Sequence, residues 1–324
     1  MKLYTGKTAV IDGFEAAPYS NAQAESLPWI TLKDLLWFLY YYPFRFLFRR
    51  LPRRMLYWIA DPIFQLRFRA RRKRAVERMA VFHGAGITAD QAPQVARRCV
   101  SGFAASEIDK LLLADASLVR KIRCDGISGL ESLERARADG RGVLLLTVHL
   151  YATRLAKTHL ANLGYSVMTV RRQRPLHDMT SRPGRRFLYQ GYVEFLHQVF
   201  RDEVYVQQPD CVLQILKRLR SGGLVNIHID GESIGKPVKH EFLGGPWTFA
   251  AGYFDLIRVS GCAVVPLLCT GNAAGFQGEL AEPLDLIPAG NSDEFARANL
   301  PLLAGVVERQ IREHPEEWGK WIRF

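Results

Sequence analysis

The stretch GVLLLTVHLYATRLAKTHL, residues 142–160, joins a continuous apolar run to an amphipathic segment through a single histidine. Residues 143–148 (VLLLTV) predict a strand that is buried on both faces, because the run shows no alternation of apolar and polar residues. Residues 152–164 predict a helix that ends at a glycine. His149 would therefore stand where a buried strand ends and the chain turns towards a helix.

Strand and helix patterns alternate along most of the remaining chain. Further strands are predicted at residues 120–127, 166–170, 224–229 and 263–270, and helices at about 90–113, 130–138, 184–200, 211–223 and 249–261. Ser128 and Glu131 form a capping box ahead of the second of these helices. Repeated strand–helix units with continuously apolar strands predict an α/β fold, in which helices cover both faces of a mainly parallel sheet.

Composition divides the chain into three parts. Residues 1–30 are polar and lack the basic and apolar regions of a secretory signal. Residues 31–115 predict a helical arm, and residues 116–324 the α/β domain.

The 5 cysteines stand apart without a CxxC pair, which argues against a disulfide scaffold and against a zinc site. We therefore expect a reducing compartment and no bound metal.

The charge of the chain favours anionic partners. Its 44 Lys and Arg residues exceed its 32 Asp and Glu residues, which gives a formal net charge of +12. Nucleic acid, anionic lipid headgroups and acidic carrier proteins would all be attracted to such a molecule. No recognised nucleic-acid-binding motif is present, so we expect no nucleic-acid partner.

The helical arm combines aromatic and basic residues. Residues 35–48 (LLWFLYYYPFRFLF) hold only about 10 residues without a charge, against roughly 20 for a membrane-spanning helix. Residues 67–74 carry 6 basic side chains among 8. This mixture predicts an arm that lies on an anionic membrane surface. The alternative is a helical subdomain that packs its aromatic side chains on the main core and leaves its charges in solvent.

Three predicted strands end in polar residues. His149 follows the first, residues 171–174 (RRQR) the second and residues 230–233 (DGES) the third. Ligands of a parallel sheet bind beyond the carboxyl ends of its strands, so these groups would gather at one edge. His149 could act there as a general base, or it could cap the following helix or hydrogen-bond within the core.

Four blocks together resemble the lysophospholipid acyltransferase superfamily, particularly the bacterial late lipid A biosynthesis (lauroyl or myristoyl) acyltransferases. In these blocks a glycine-led strand ends in histidine, an acidic block follows a second strand, a Gly-Pro loop precedes a helix, and the chain ends in His-Pro-Glu-x-Trp. The blocks are residues 137–156, 219–233, 238–268 and 312–324. The resemblance covers roughly residues 30–324 and implies that residues 116–324 are an acyltransferase-like domain.

The resemblance implies transfer of a fatty acyl group from acyl carrier protein or coenzyme A to a hydroxyl or amine of a lipid acceptor. His149 would be the general base, no cofactor would be needed beyond the acyl thioester, and the thioester's thiol would leave. Acyl carrier protein, a lipid acceptor and an anionic membrane surface would be the partners. The protein would act at the cytoplasmic face of the bacterial inner membrane, peripherally or through an N-terminal anchor.

The sequence departs from the family pattern at Arg154. An acidic residue stands in the family at this position, five residues after the histidine, and forms a dyad with it. One explanation is that another carboxylate replaces it, with Asp230 or Glu232 ahead of Asp178 or Glu194. The other is that catalysis has been lost and the chain binds a lipid or an acyl carrier. Ser233 is a minor alternative as a nucleophile.

Several residues are candidates for substrate binding. Arg154 could contact an anionic acceptor. Basic side chains after the second strand could pair with phosphates or carboxylates of an acceptor or of acyl carrier protein; they are Arg171, Arg172 and Arg174, followed by Arg182, Arg185 and Arg186. Gly244 and Gly245 could shape a loop against substrate, or they could form a sharp strand-to-helix turn with Thr248 as the N-cap.

Overall fold

The computed structural model describes residues 30, 35, 46, 50–113, 121–138, 140–171, 202–231 and 237–323. Nearly all of the predicted polar segment 1–30 and most of residues 31–49 lie outside these ranges. The helix predicted at residues 184–200 lies outside them as well.

Nine strands lie within the described residues. They are β1 (Cys124–Ser128), β2 (Val143–Thr147), β3 (Val167–Arg171), β4 (Glu203–Tyr205), β5 (Leu224–His228), β6 (Pro237–Phe242), β7 (Gly245–Ala250), β8 (Ala263–Gly271) and β9 (Phe276–Leu280). Seven of them form one sheet in the order β1, β9, β8, β2, β5, β3, β4. The strands from β8 to β4 run parallel, whereas β9 is antiparallel to β8. Strands β6 and β7 form a separate antiparallel hairpin.

Nine α-helices have both ends within the described residues. They are α1 (Arg53–Arg67), α2 (Arg69–Val81), α3 (Ala92–Leu113), α4 (Leu130–Ala138), α5 (Thr153–Asn162), α6 (Cys211–Arg220), α7 (Gly252–Ser260), α8 (Ser292–Glu313) and α9 (Lys320–Arg323). Helices flank the mostly parallel sheet, so the predicted α/β fold class is confirmed. The strands predicted at residues 143–148, 166–170, 224–229 and 263–270 agree with β2, β3, β5 and β8 to within one residue at each end.

Strand β2 lies at the centre of the sheet, as its sequence predicts. All five of its residues are buried, and the strand pairs in parallel with β5 on one side and with β8 on the other. A strand in this position is covered on both faces, which explains its continuous apolar sequence. The residues that follow β2 therefore emerge at the middle of the sheet edge.

The N-terminal helices pack on each other and on the C-terminal end of the chain. Arg53 of α1 donates from Nε and Nη2 to the carboxylate of Asp109 on α3, and Tyr57 donates its hydroxyl proton to the same carboxylate at 2.6 Å. All three side chains are buried. Arg78 of α2 donates to the main-chain oxygens of Lys320 and Trp321. The proposed boundary between residues 31–115 and 116–324 stays a prediction.

Two predicted helix caps are wrong. Thr248 lies inside β7, and helix α7 begins at Gly252 after Ala251, because residues 237–250 pair as a hairpin instead of turning directly into the helix. Ser128 is the last residue of β1, and its hydroxyl donates to the Gly278 oxygen at 3.4 Å rather than capping α4. In both cases the residue pairs within a strand, although its local sequence favours a helix end.

Among the residues that the structure describes, no helix is both long and apolar enough to cross a bilayer.

Candidate active site

Strand register brings His149 and Asp230 together. Strands β2 and β5 are adjacent and parallel, with Thr147 opposite His228. His149 lies two residues beyond Thr147 and Asp230 two residues beyond His228, so the two side chains leave the sheet at the same level. Nδ1 of His149 lies 2.7 Å from Oδ1 of Asp230. This contact is the His149–Asp230 pair.

Asp230 is completely buried and its carboxylate is surrounded by donors. The main-chain N–H of His149 lies 3.2 Å from Oδ1 and 3.1 Å from Oδ2, and the indole N–H of Trp318 donates to Oδ2 at 2.8 Å. Burial raises the pKa of Asp230, but the charge and hydrogen bond of His149, with Lys320 and His228 nearby, outweigh it and hold this pKa well below its usual value. Asp230 is therefore ionised at neutral pH.

An ionised Asp230 decides which nitrogen of His149 carries the proton. A carboxylate only accepts hydrogen bonds, so Nδ1 of the imidazole must be the donor in this contact. In the neutral ring, Nε2 then keeps its lone pair and is free to accept a proton. The His149 side chain is 29 % exposed, so the ring can meet a substrate from outside while its partner carboxylate stays dry.

The C-terminal segment 315–319 fixes the backbone around His149. The main-chain N–H of Gly319 donates to the His149 oxygen at 2.8 Å, and Leu150 forms an isolated antiparallel bridge with Trp318. The N–H of Tyr151 donates to the oxygen of Glu317 at 3.2 Å. The loop that carries His149 is thus paired with the end of the chain as if it were a short strand.

Arg154 is hydrogen-bonded to helix α3. It lies in the first turn of α5, and its Nη1 donates to the main-chain oxygen and to the hydroxyl of Ser106 on α3, both at 3.3 Å. The carboxylate beside Nδ1 of His149 is that of Asp230. The substrate-binding role expected of Arg154 stays a prediction.

Three arginines at and after the end of β3 were predicted to bind substrate, and only Arg171 lies in the part of the chain that the structure describes. Arg171 ends β3, and its Nη1 lies 2.5 Å from a carboxylate oxygen of Glu203 on the neighbouring strand β4. Tyr205 donates its hydroxyl proton to the other oxygen of Glu203 at 2.7 Å. Arg171 is thus held at the same edge of the sheet as the His149–Asp230 pair, and its role towards substrate stays a prediction.

Several predicted site residues lie outside the described ranges. They are Arg172, Arg174, Asp178, Arg182, Arg185, Arg186, Glu194, Glu232 and Ser233. Their predicted roles are therefore untested. Among the described residues, no group of three or more His, Cys, Asp or Glu side chains is arranged to hold a metal ion.

Gly244 and Gly245 form the turn of the β6–β7 hairpin and the start of β7. Leu243 and Gly244 both have positive φ, 51° and 73°, as in the primed turns that join tight hairpins. A Cβ on Gly244 would lie 2.8 Å from the nitrogen of Gly84, so the turn is packed against the loop that follows α2. This packing requires glycine at position 244 for structural reasons, and substrate contact by these two glycines stays a prediction.

Two residues of the site were missed by sequence reasoning. Trp318 contacts Asp230 directly, but in the sequence it was only part of the terminal block that carries the family resemblance. The ring of His228 lies 4.6 Å from that of His149 between centroids, and in the sequence it stands within an apolar strand pattern. The pairing of β2 with β5 is what brings His228 to His149, and no local pattern records that pairing.

A protein-family model matches more than half of the chain. Residues 100–323 match the family model described as bacterial lipid A biosynthesis acyltransferase. The chain belongs to this family. No curated protein matches the chain. The match covers the main sheet, both residues of the His149–Asp230 pair and the C-terminal segment that holds them. The family resemblance predicted from four short blocks is therefore confirmed, and the membership indicates acyl transfer to a lipid.

Proposed function

We propose that the chain is an acyltransferase that moves a fatty acyl group from an acyl thioester to a hydroxyl or amine of a lipid acceptor. His149 is the general base in this proposal, and Asp230 takes the place of the acidic residue that the family has at position 154. The observation that carries the proposal is the 2.7 Å contact between Nδ1 of His149 and the buried carboxylate of Asp230. It leaves Nε2 as the base of a ring that is partly exposed.

The reaction follows from this arrangement. Nε2 of His149 removes the proton from the acceptor hydroxyl as its oxygen attacks the thioester carbonyl carbon. The imidazolium formed at this moment is stabilised by the ionised carboxylate of Asp230. The tetrahedral intermediate then expels the thiolate, which takes the proton back from the imidazolium. The products are an acylated lipid and a free thiol, and the imidazole is neutral again.

The donor and the acceptor are proposed from charge. The net charge of +12 favours an acidic protein as the donor. We therefore propose acyl carrier protein rather than coenzyme A. Arg171, at the same sheet edge, and the arginines that follow it favour an acceptor that carries phosphate or carboxylate groups. Lipids with such groups, including lipid A precursors, fit this description.

The test of this function is an acyl-transfer assay on the full chain. We expect that incubation with acyl carrier protein thioesters and total bacterial lipid yields a new lipid, heavier than its precursor by one acyl group, in mass spectrometry. Incubations without protein and with coenzyme A thioesters are the controls. If several acyl lengths on both carriers give no acylated lipid, the chain instead binds a lipid or an acyl carrier without catalysis.

We also propose that helix α1 rests on an anionic membrane at the cytoplasmic face of the inner membrane. One side of α1 packs on α3, while the opposite side exposes large apolar side chains; they are Met55, Trp58, Ile63 and Leu66, and together they form the apolar face of α1. The exposed fractions of Trp58 and Leu66 are 78 % and 77 %. The basic run 67–74 follows directly, which suits anionic headgroups beside an apolar face.

Charge placed on the apolar face of α1 tests the membrane proposal. We expect the double variant Trp58→Glu/Leu66→Glu to bind vesicles of phosphatidylglycerol and phosphatidylethanolamine at least about tenfold more weakly than the natural chain, because two apolar anchors are lost. Vesicle sedimentation measures the bound fraction. Leu213→Glu on α6, where leucine is 69 % exposed, is the matched control and should bind normally. Equal binding by the double variant would contradict a membrane role for this face.

A further inference from the structure

We propose that Trp318 is a positioning residue for the His149–Asp230 pair. Its indole N–H holds Oδ2 of Asp230 at 2.8 Å, so that Oδ1 faces Nδ1 of His149 at 2.7 Å. The inference deepens the proposed function and rests on it, because it explains how the carboxylate of Asp230 keeps one orientation. Each carboxylate oxygen has its own side-chain donor, and the two donors are far apart in the sequence, at positions 149 and 318.

The indole is held in place by other rings. Trp318 is fully buried, and its ring packs against Trp321 at 4.8 Å and 82°, against Trp247 at 5.4 Å and 52°, and against Phe242 at 5.7 Å and 69°. Offset and edge-to-face contacts of this kind favour a single ring position. The hairpin β6–β7 supplies two of these rings, which gives the aromatic residues around the Gly-Gly turn a structural role in the site.

The backbone of the same segment is tied to the other member of the pair. Leu150 bridges to Trp318, and the N–H of Gly319 donates to the oxygen of His149. Trp318 therefore contacts Asp230 through its side chain, while its backbone neighbourhood fixes the loop of His149. A displacement of this segment would change the distance between imidazole and carboxylate from both sides at once.

An uncharged donor suits this position. The titratable groups around the Asp230 carboxylate are His149, His228, Lys320 and Tyr253. Hydrogen bonds to a buried carboxylate are strong, and loss of the indole would leave Oδ2 with only the longer bond from the main-chain N–H of His149, which Oδ2 shares with Oδ1. The indole satisfies Oδ2 and does not titrate, so it orients the carboxylate without adding a charge that would compete with the imidazolium.

The test replaces the indole N–H by sulfur and changes little else. Site-specific incorporation of 3-(3-benzothienyl)alanine at position 318 keeps the shape of the ring and removes the donor. The same substitution at Trp321 is the matched control, because its indole is equally buried but donates to the main-chain oxygen of Pro315 at 2.8 Å. Trp318→Phe, in the full chain, is a second variant with the same missing donor.

We expect the position-318 substitution to lower kcat by about tenfold, with KM for the acyl thioester unchanged. In NMR spectra, we expect the resonance of the proton on Nδ1 of His149 to move upfield, because its hydrogen bond to Asp230 lengthens when Oδ2 has lost the indole donor. The control at position 321 should change neither quantity. Unchanged kcat and Nδ1 proton resonance at position 318, or equal changes at positions 318 and 321, would overturn the proposal.

The NMR measurement separates this proposal from the proposed function, because it needs no turnover. If the natural chain transfers no acyl group but the Nδ1 proton resonance of His149 moves only in the position-318 variants, Trp318 orients the pair and the acyltransferase proposal fails. If the natural chain is active and neither this resonance nor kcat responds to position 318, the acyltransferase proposal stands and the role of Trp318 is overturned.

Discussion

We expect His149→Ala to lower kcat for acyl transfer by about 10²–10⁴-fold, the usual contribution of a general base. KM for the acyl thioester should stay within about threefold, because the imidazole acts on the acceptor proton and not on donor binding. Initial rates of thiol release, measured with acyl carrier protein thioesters at saturating lipid, give both constants. The ring is 29 % exposed, so its removal leaves no deep cavity and should little affect folding.

His159→Ala is the matched control for this loss. His159 lies in the last turn of α5, where its ring packs near that of Phe276 at 6.0 Å between centroids, and no described contact joins it to the His149–Asp230 pair. It should keep kcat within about twofold of the natural value, since general-base catalysis does not involve it. A His149→Ala protein with full activity, or a control with the same loss, would contradict the role given to His149.

Asp230→Asn should lower kcat by a similar factor, about 10²–10⁴-fold. The amide keeps the shape of the side chain but removes the charge that stabilises the imidazolium. Both carboxylate oxygens accept hydrogen bonds from donors, so the NH2 group of the amide must face at least one of these donors. This clash disturbs the position of the proton on the imidazole ring. Rates and KM are measured as for His149→Ala, with the folded state checked by circular dichroism.

Arg154→Ala is the control that separates the two positions for the acidic partner. Arg154 bonds to Ser106 on α3, so this variant should keep kcat within about threefold, since the general base and its partner remain. A loss of kcat in Arg154→Ala as large as in Asp230→Asn would contradict the assignment of Asp230 as the acidic partner of His149.

Asp230→Asn should also change the pH dependence of stability. The pKa of Asp230 is lower in the folded protein than in the unfolded chain, so the ionised carboxylate stabilises the fold above the unfolded value of about 4. This contribution is lost as the pH falls through the folded-state pKa. Urea unfolding should therefore show the largest difference between the natural chain and Asp230→Asn near pH 7, and a smaller difference in acid.

Much of the sheet could be predicted from local sequence. The apolar run of β2, the alternation of strands with helices and the polar residues at strand ends all follow from burial and periodicity, which act over a few residues. These patterns were sufficient to place His149 and Asp230 at the carboxyl edge of a parallel sheet. The caps at Ser128 and Thr248 failed for the opposite reason, since strand pairing with distant residues outweighed a local preference for a helix end.

The sequence by itself determined the α/β class, the family resemblance and the presence of a histidine and a carboxylate after two buried strands. Only the tertiary structure decided that Asp230 is the partner of His149, that Arg154 turns towards α3, and that Trp318 reaches the same carboxylate. His149 and Asp230 are 81 residues apart, and Asp230 and Trp318 are 88 residues apart. Such contacts depend on which strands are neighbours, on their register and on the rotation of a helix about its axis, because these set the direction of each side chain and no local pattern encodes them.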